Sequence, residues 1–240
     1  MTEGIREDKP LRAKAYGHIP HLPGSRMGPG DHHCHPGQSL MCTVKRKEKH
    51  DEVIVQEKLD GSCCAVALID GTLVPLTRSG NPASDSRYRQ HHLFAAWVYS
   101  QQERFLGVLQ EGERIVGEWL AQAHGTRYNL PHDPFVVFDI MTLHERTAYD
   151  VFIERVKAGG FVTPRLIHRG DPIDIEAVLA KLEPSGHGAI DLVEGAVWRI
   201  ERRGKVHFLA KYVRSDKADG IYLSEDDPLW NWQPDWRAGS

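Results

Sequence analysis

Val53-Ile54-Val55-Gln56-Glu57-Lys58-Leu59-Asp60-Gly61-Ser62 is the stretch on which the reading of the fold turns. A β-branched apolar run ends in a lysine, and an Asp-Gly turn signal follows directly. That places Lys58 at the end of a strand, on the edge of a sheet, where its side chain can face a pocket. A lysine is ordinarily protonated at neutral pH and is then no nucleophile. Burial or cationic neighbours lower its pKa, and the free amine forms covalent adducts. Lys-x-Asp-Gly alone is a weak signal, so its weight depends on the partners that the rest of the chain supplies.

Outward from this stretch, strands are predicted at Val53 to Glu57, Cys63 to Ile69 and Leu73 to Thr77, with Asp70-Gly71 closing a hairpin between the last two. Apolar residues at Leu93, Ala96, Trp97, Phe105 and Val108 predict an amphipathic helix over Gln90 to Leu109. Arg114 to Leu120 and Phe135 to Ile140 read as strands, and Val151 to Lys157 as a short helix. Asp171 as N-cap and Pro172 at the first helical position predict a helix through Leu182. Leu192 to Ile200 and Val206 to Val213 form a hairpin across Arg202-Arg203-Gly204. There is no internal repeat or low-complexity linker, so a single α+β domain over residues 1–240 is expected: an arm at 1–50, a core at 51–214 and a tail at 215–240.

The 240 residues carry a formal net charge of −3, with 40% hydrophobic and 26% charged side chains. This is the composition of an ordinary globular protein without a global basic field, so a nucleic-acid partner would be held by local patches. No apolar run reaches transmembrane length, and the charged start from Met1 to Leu11 lacks a signal-peptide core. Adjacent Cys63 and Cys64 are poorly placed to bridge each other, and reduced thiols point to the cytoplasm. Tyr16 to Gly37 is rich in Gly, Pro and His and is expected to be a long loop or arm. Asp31-His32-His33-Cys34-His35, with Cys42, offers zinc ligands, but structural zinc sites space theirs two to four apart in paired knuckles. The preferred reading is a polar arm at the mouth of the active site.

Four further short motifs follow Lys58 in order, each on or beside a predicted strand: Thr77-Arg78-Ser79-Gly80, Gly117-Glu118-Trp119, Val137-Phe138-Asp139-Ile140 and Val193-Glu194-Gly195-Ala196-Val197. The last strand then ends in Ala210-Lys211-Tyr212-Val213-Arg214. From Glu57 to Arg214 this ordered set resembles the covalent nucleotidyltransferase superfamily of polynucleotide ligases and capping enzymes. Within it the sequence is similar to ATP-dependent RNA ligases of the RNA ligase 2 and editing-ligase clade, of bacterial type. Ser62, Cys63 and Cys64 stand where DNA ligases and capping enzymes usually carry an arginine. Gly117-Glu118-Trp119-Leu120 with Tyr128, and the arm Tyr16-Gly17-His18-Ile19-Pro20-His21-Leu22, resemble the bacterial enzymes.

The resemblance implies an α+β nucleotidyltransferase (adenylyltransferase) domain of antiparallel sheets flanked by helices, an ATP-grasp-like ligase core. No OB domain is expected, since residues 215–240 are too few for a five-stranded barrel. It implies that Lys58 attacks the α-phosphate of ATP, expels pyrophosphate and holds AMP. AMP then passes to an RNA 5′-phosphate, and a 3′-OH attacks with AMP release. Lys211 and Arg214 would supply positive charge, and alternation along the strand turns Arg214 away from the face of Lys211. Glu118 would accept hydrogen bonds from the ribose hydroxyls, and Glu194 would orient a hydrated Mg²⁺ (or Mn²⁺). Phe138 would stack on adenine, Glu57 would contact it, and Arg78 would touch the ribose or the strand end. Asp139 matches a family position whose role is either RNA binding or fixing a loop. RNA grip is expected from Lys45-Arg46-Lys47, from Arg165 with Arg169, or from Arg199-Arg202-Arg203-Lys205, and Trp230, Trp232 and Trp236 would stack bases or pin the tail. A chain this small is expected to lean on an end-healing or RNA-binding partner, with no membrane involved. The competing readings are a minimal DNA ligase, a GTP-using capping-type enzyme, a non-catalytic nucleic-acid-binding module and a zinc-stabilised recruitment arm.

Overall fold

The computed structural model describes residues 9–218, 220–224 and 226–234. Residues 1–8 of the polar start and Trp236 of the tail lie outside that range. In chain order the elements are α1 (Pro36–Thr43), β1 (Asp51–Lys58), β2 (Ser62–Ile69), β3 (Thr72–Thr77), α2 (Arg89–Ser100), α3 (Gln102–Leu106), β4 (Glu113–Trp119), β5 (Phe135–Thr142), β6 (Glu145–Arg146), α4 (Tyr149–Ala158), β7 (Leu166–Gly170), α5 (Ile175–Leu179), β8 (Gly195–Arg202) and β9 (Lys205–Val213). They make α+β architecture with antiparallel sheets, as expected. The chain forms two compact units interleaved in sequence: Met1–Gly17, Ser62–Trp119 and Phe135–Thr163 in the first, and His18–Gly61, Leu120–Pro134 and Pro164–Ser240 in the second.

The first unit holds a sheet in the order β3-β2-β4-β5-β6. Its core is aromatic: Phe94, Phe105, Trp119 and Phe135 are buried side by side. The single predicted helix over Gln90 to Leu109 is broken into α2 and α3. The Ser100 hydroxyl donates back to Trp97 O at 2.7 Å, and Gln101 leaves helical geometry at φ −113°, ψ 18°. The break lets Trp97 and Phe105 meet edge to face at 5.8 Å instead of following one helical stripe.

The second unit holds a sheet in the order β7-β1-β8-β9. Val53 and Val55 pair with Ile200 and Trp198, and that face enters a core shared with Leu22, Val178 and Ala210. The β8–β9 hairpin turns on Arg203 and Gly204 at φ 52° and 72°, the pair of positive φ values that a two-residue hairpin requires. Two helices depart from expectation here. α1 begins inside the stretch read as arm: His35 Nδ1 accepts from Gly37 N–H, Gln38 Oε1 accepts from His35 N–H, and Pro36 opens the helix. The helix expected from Asp171 to Leu182 shortens to α5 with Asp174 as its cap, Oδ1 accepting from Ala177 N–H at 2.8 Å. Ile173 N–H donates to Cys42 O and Asp171 pairs with Arg46 at 2.6 Å, which holds residues 171–173 extended. Among the described residues no helix is long and apolar enough to cross a membrane.

Candidate active site

Strand register decides which side chains meet in the second unit. Lys58 lies opposite Gly195, Gly195 opposite Val213, and Gln56 and Lys211 flank Val197. Alternation therefore puts Lys58 and Lys211 on one face, while Glu57 joins Ala196 on the core face. At Gly195 a Cβ would stand 1.9 Å from Tyr212 O, so only glycine lets β9 come this close beside the lysine. The residue before it, Glu194, lies 2.5 Å from Lys58 Nζ through Oε2, and the ammonium also donates to Leu59 O at 3.3 Å. Lys58, Glu194 and Lys211 thus share one pocket, with side chains 21%, 14% and 15% exposed.

The turn after Lys58 is fixed from below. Asp60 N–H donates to the Tyr128 hydroxyl at 3.0 Å, and Asp60 Oδ2 accepts from Gly125 N–H at 2.9 Å and Thr126 Oγ1 at 3.1 Å. The same loop is clamped again where Arg127 makes a forked pair with Asp191 at 2.8 and 3.0 Å, which holds that carboxyl down to about 2.

The arm adds a third wall. Lys211 N–H donates to Pro20 O, Leu22 N–H to Lys211 O and Arg26 N–H to Val213 O, so residues 20–26 run along the free edge of β9. This brings His21, Arg26 and Asp31 into the pocket. Burial, then Lys211, lowers the pKa of His21 despite the neighbouring Asp31. Burial raises the carboxyl of Asp31, but the Gly28 N–H, Lys211 and His21 outweigh it and hold the group below its ordinary value. The arm thus lies where the preferred reading put it, at the mouth of the pocket. Cys34 and Cys42 are buried thiols in the core, and among the described residues no three His, Cys, Asp or Glu side chains gather as a ligand set.

Glu57, expected at adenine, is buried and held by three polar partners. Its carboxylate accepts from Arg165 Nε at 3.1 Å, Gly186 N–H at 2.9 Å and the Ser185 hydroxyl at 2.5 Å, all on the face away from Lys58. Adjacent residues on a strand point to opposite faces, so Glu57 and Lys58 do not share one. Glu57→Ala is expected to lower stability by roughly 2–4 kcal/mol by leaving Arg165 unpaired, read as thermal unfolding. An unchanged melting temperature with a raised KM for the nucleotide would support the adenine role instead. Beside this cluster His187 Nε2 accepts from Arg165 N–H at 3.2 Å, and Nδ1 lies 2.8 Å from His132 Nε2. Burial, His132 and Arg165 push the imidazole of His187 down to about 4. The unfolded chain takes up this proton from about 6.5 downward while the folded chain resists. Stability is therefore expected to fall by about 3 kcal/mol as pH drops from about 6.5 to about 4, with no contribution above that window. Denaturant midpoints across this range in wild type and His187→Asn check it, the variant losing the slope.

Glu118, Phe138 and Arg78 belong to the first unit. Glu118 follows a β-bulge at Val116/Gly117, where a Cβ on Gly117 would meet Val136 O at 2.6 Å. Phe138 is half-buried, its ring 5.1 Å from that of Tyr16. Arg78 donates to Gly17 O at 3.1 Å. Asp139 is fully buried and accepts from the Tyr16 hydroxyl at 2.7 Å and from Arg146 Nε at 3.1 Å.

Most of the cations offered as RNA grips are committed to carboxylates: Arg46 to Asp171, Arg169 to Glu52, Arg165 to Glu57, Arg199 to Glu201, and Arg202 to Asp51 and Glu48. Arg199 is only 2% exposed, and Lys45, Lys47, Arg203 and Lys205 remain at the surface. Arg214 turns to Asp216 and Glu183 rather than into the pocket. Trp230 and Trp232 sit on a segment hydrogen-bonded to residues 121–123, which pins the tail. Sequence reading put the arm at the mouth of the site but singled out none of His21, Arg26 and Asp31 as pocket residues, and it missed Lys217. Their membership depends on long-range pairing to β9, which no local signal announces.

Residues 51–213 match the model of the RNA ligase family. The fold is similar to that of a Naegleria gruberi RNA ligase, an apo point mutant, at a TM-score of 0.52 and 14% identity, over 83% of this chain and 55% of that one. It is also similar to an archaeal ATP-dependent RNA ligase (TM-score 0.45, 19% identity, 69% and 43% of the two chains). A putative ATP-dependent DNA ligase from Aquifex aeolicus matches at TM-score 0.43 and 17% identity, over 68% and 44%. The chain thus spans about half the length of these solved structures or less. No curated protein matches the sequence.

Proposed function

The chain belongs to the RNA ligase family, and on that premise we propose that it is an ATP-dependent RNA ligase joining 3′-OH and 5′-phosphate ends through a lysyl-AMP intermediate. The observation that carries the proposal is Lys58 Nζ in a pocket, 2.5 Å from Glu194 and on the same sheet face as Lys211. The Lys58 amine attacks the α-phosphorus of ATP. The N–P bond forms as the bond to the pyrophosphate oxygen breaks, and Glu194 is positioned to take the proton that Lys58 loses. Lys211 neutralises charge growing on the α-phosphate. Transfer of AMP to an RNA 5′-phosphate and attack by a 3′-OH then release AMP and leave a phosphodiester.

Glu194 also fits a hydrated divalent metal, Mg²⁺ or Mn²⁺, because a half-buried carboxylate at a phosphate site suits an ion that keeps several waters. Such an ion would supply further neutralisation of phosphate charge. Glu118 to the ribose hydroxyls, Phe138 to adenine and Arg78 to the ribose or strand end are the remaining parts of the reading. With so many surface cations already paired to carboxylates, RNA grip falls in part to an end-healing or RNA-binding partner. Free buried thiols suit the reducing cytoplasm.

Incubation with α-³²P-labelled ATP or GTP and Mg²⁺, followed by a denaturing gel, tests the proposal. A labelled band from ATP that is chased into sealed RNA is expected. Label from GTP alone would indicate a capping-type enzyme, and no label on folded, AMP-free protein would leave a binding module.

A further inference from the structure

Two donors in the pocket belong to none of the ligase motifs. Lys217 is 6% exposed, and its ammonium donates to Gly125 O at 2.5 Å and to Leu192 O at 3.1 Å. Among the described residues its third N–H has only Asp60 Oδ2, at 3.9 Å, beyond hydrogen-bond reach. His21 is 1% exposed, with Nδ1 2.6 Å from the Ser25 hydroxyl. Among the described residues its Nε2 is buried without a hydrogen bond, with Asp31 Oδ2 3.0 Å away as an ion-pair partner. Ser25 Oγ also reaches Arg26 O at 3.3 Å, and in the tautomer where Ser25 donates to Nδ1 instead the imidazole proton sits on Nε2. Both side chains line the pocket that holds Lys58 and Lys211, one from the arm and the other from the turn after β9.

A buried donor left without an acceptor destabilises a fold by an amount comparable to a lost hydrogen bond, and two of them in one pocket point to a ligand that fills both. That ligand must bring anionic oxygens. Lys58 and Lys211 already provide for one phosphate, and Arg26, whose guanidinium donates to Lys217 O, adds positive charge at the same wall. We propose that His21 and Lys217 hold a second phosphoryl group: the β- and γ-phosphates of ATP, and then the pyrophosphate they become. This rests on the ligase reading of the site. As the Pα–O bond breaks, its electron pair stays on the pyrophosphate oxygen, and the Lys217 and His21 N–H groups meet that growing charge. Selection of a triphosphate over AMP then lies in the arm and the post-β9 turn, outside the motif strands.

The test is calorimetric titration of the full chain with sodium pyrophosphate, on wild type, Lys217→Met and His21→Gln, each first shown to be folded by thermal unfolding. Each substitution is expected to weaken pyrophosphate binding at least ~10-fold; if one variant does not fold, the other serves alone. In parallel, labelling from ATP is compared with sealing of a chemically adenylylated RNA strand, a step without pyrophosphate. The loss in labelling is expected to exceed the loss in sealing by at least ~10-fold. Unchanged pyrophosphate affinity, or equal losses in the two steps, overturns the inference. Wild type that binds pyrophosphate through these residues yet neither labels nor seals supports the anion site and overturns the ligase reading instead.

Discussion

Lys58→Ala is expected to carry no label after incubation with α-³²P-ATP, a loss of at least ~1,000-fold, because the bond that holds AMP is made to this nitrogen. Alanine also leaves Glu194 without its cation, so a second variant separates chemistry from folding. Lys58→Arg keeps a positive charge beside Glu194, and its guanidinium stays protonated at every accessible pH. It is expected to unfold near the wild-type temperature and still take no label. Label surviving in Lys58→Arg would place the nucleophile elsewhere. Lys217 is then the first lysine to examine, since it lines the same pocket.

Lys211→Met is expected to slow single-turnover labelling by about 100- to 1,000-fold, the usual cost of removing one preorganised donor from a developing negative charge. The side chain is 15% exposed and pairs with Asp31 at 3.6 Å. A partly solvated pair of this kind contributes little to folding, so the melting temperature is expected to move by only a few degrees. The loss should appear in the rate at saturating ATP more than in KM, because charge on the α-phosphate grows toward the transition state. Unaltered labelling would reduce Lys211 to an ordinary strand-end cation.

The parts of the site that were legible in the sequence are those set by local chain geometry. Val53-Ile54-Val55 followed by Lys-Leu-Asp-Gly announced a strand and a turn, and Arg203-Gly204 and Asp70-Gly71 announced hairpins through their need for positive φ. Lys58, Glu194 and Lys211 were singled out from an ordered series of motifs on or beside strands, and the fold brings them into one pocket. Glu57 shows the limit, since the motif gives no hint that Arg165, Ser185 and Gly186, more than 100 residues away, close on its carboxylate. Arg169 and Arg202 show another: a run of cations looks free until register reveals Glu52, Glu48 and Asp51 beside it. His35 shows a third, for a histidine that resembles a metal ligand in sequence instead caps a helix that the run of Gly and Pro had concealed.

The interleaving of the two units shapes how this protein leaves the ribosome. β1 is an inner strand, yet its neighbours β7 and β8 are made last, and Lys58 meets Glu194 across 136 residues. At synthesis rates of about 5–20 residues per second, Val53-Ile54-Val55 waits roughly 7–27 seconds for its partners. During that interval an apolar β-branched ribbon has two open edges, which is the condition for pairing with another nascent chain. Slow codons or a shortage of chaperones over residues 60–195 should therefore lower the soluble yield more than the same burden placed after β9.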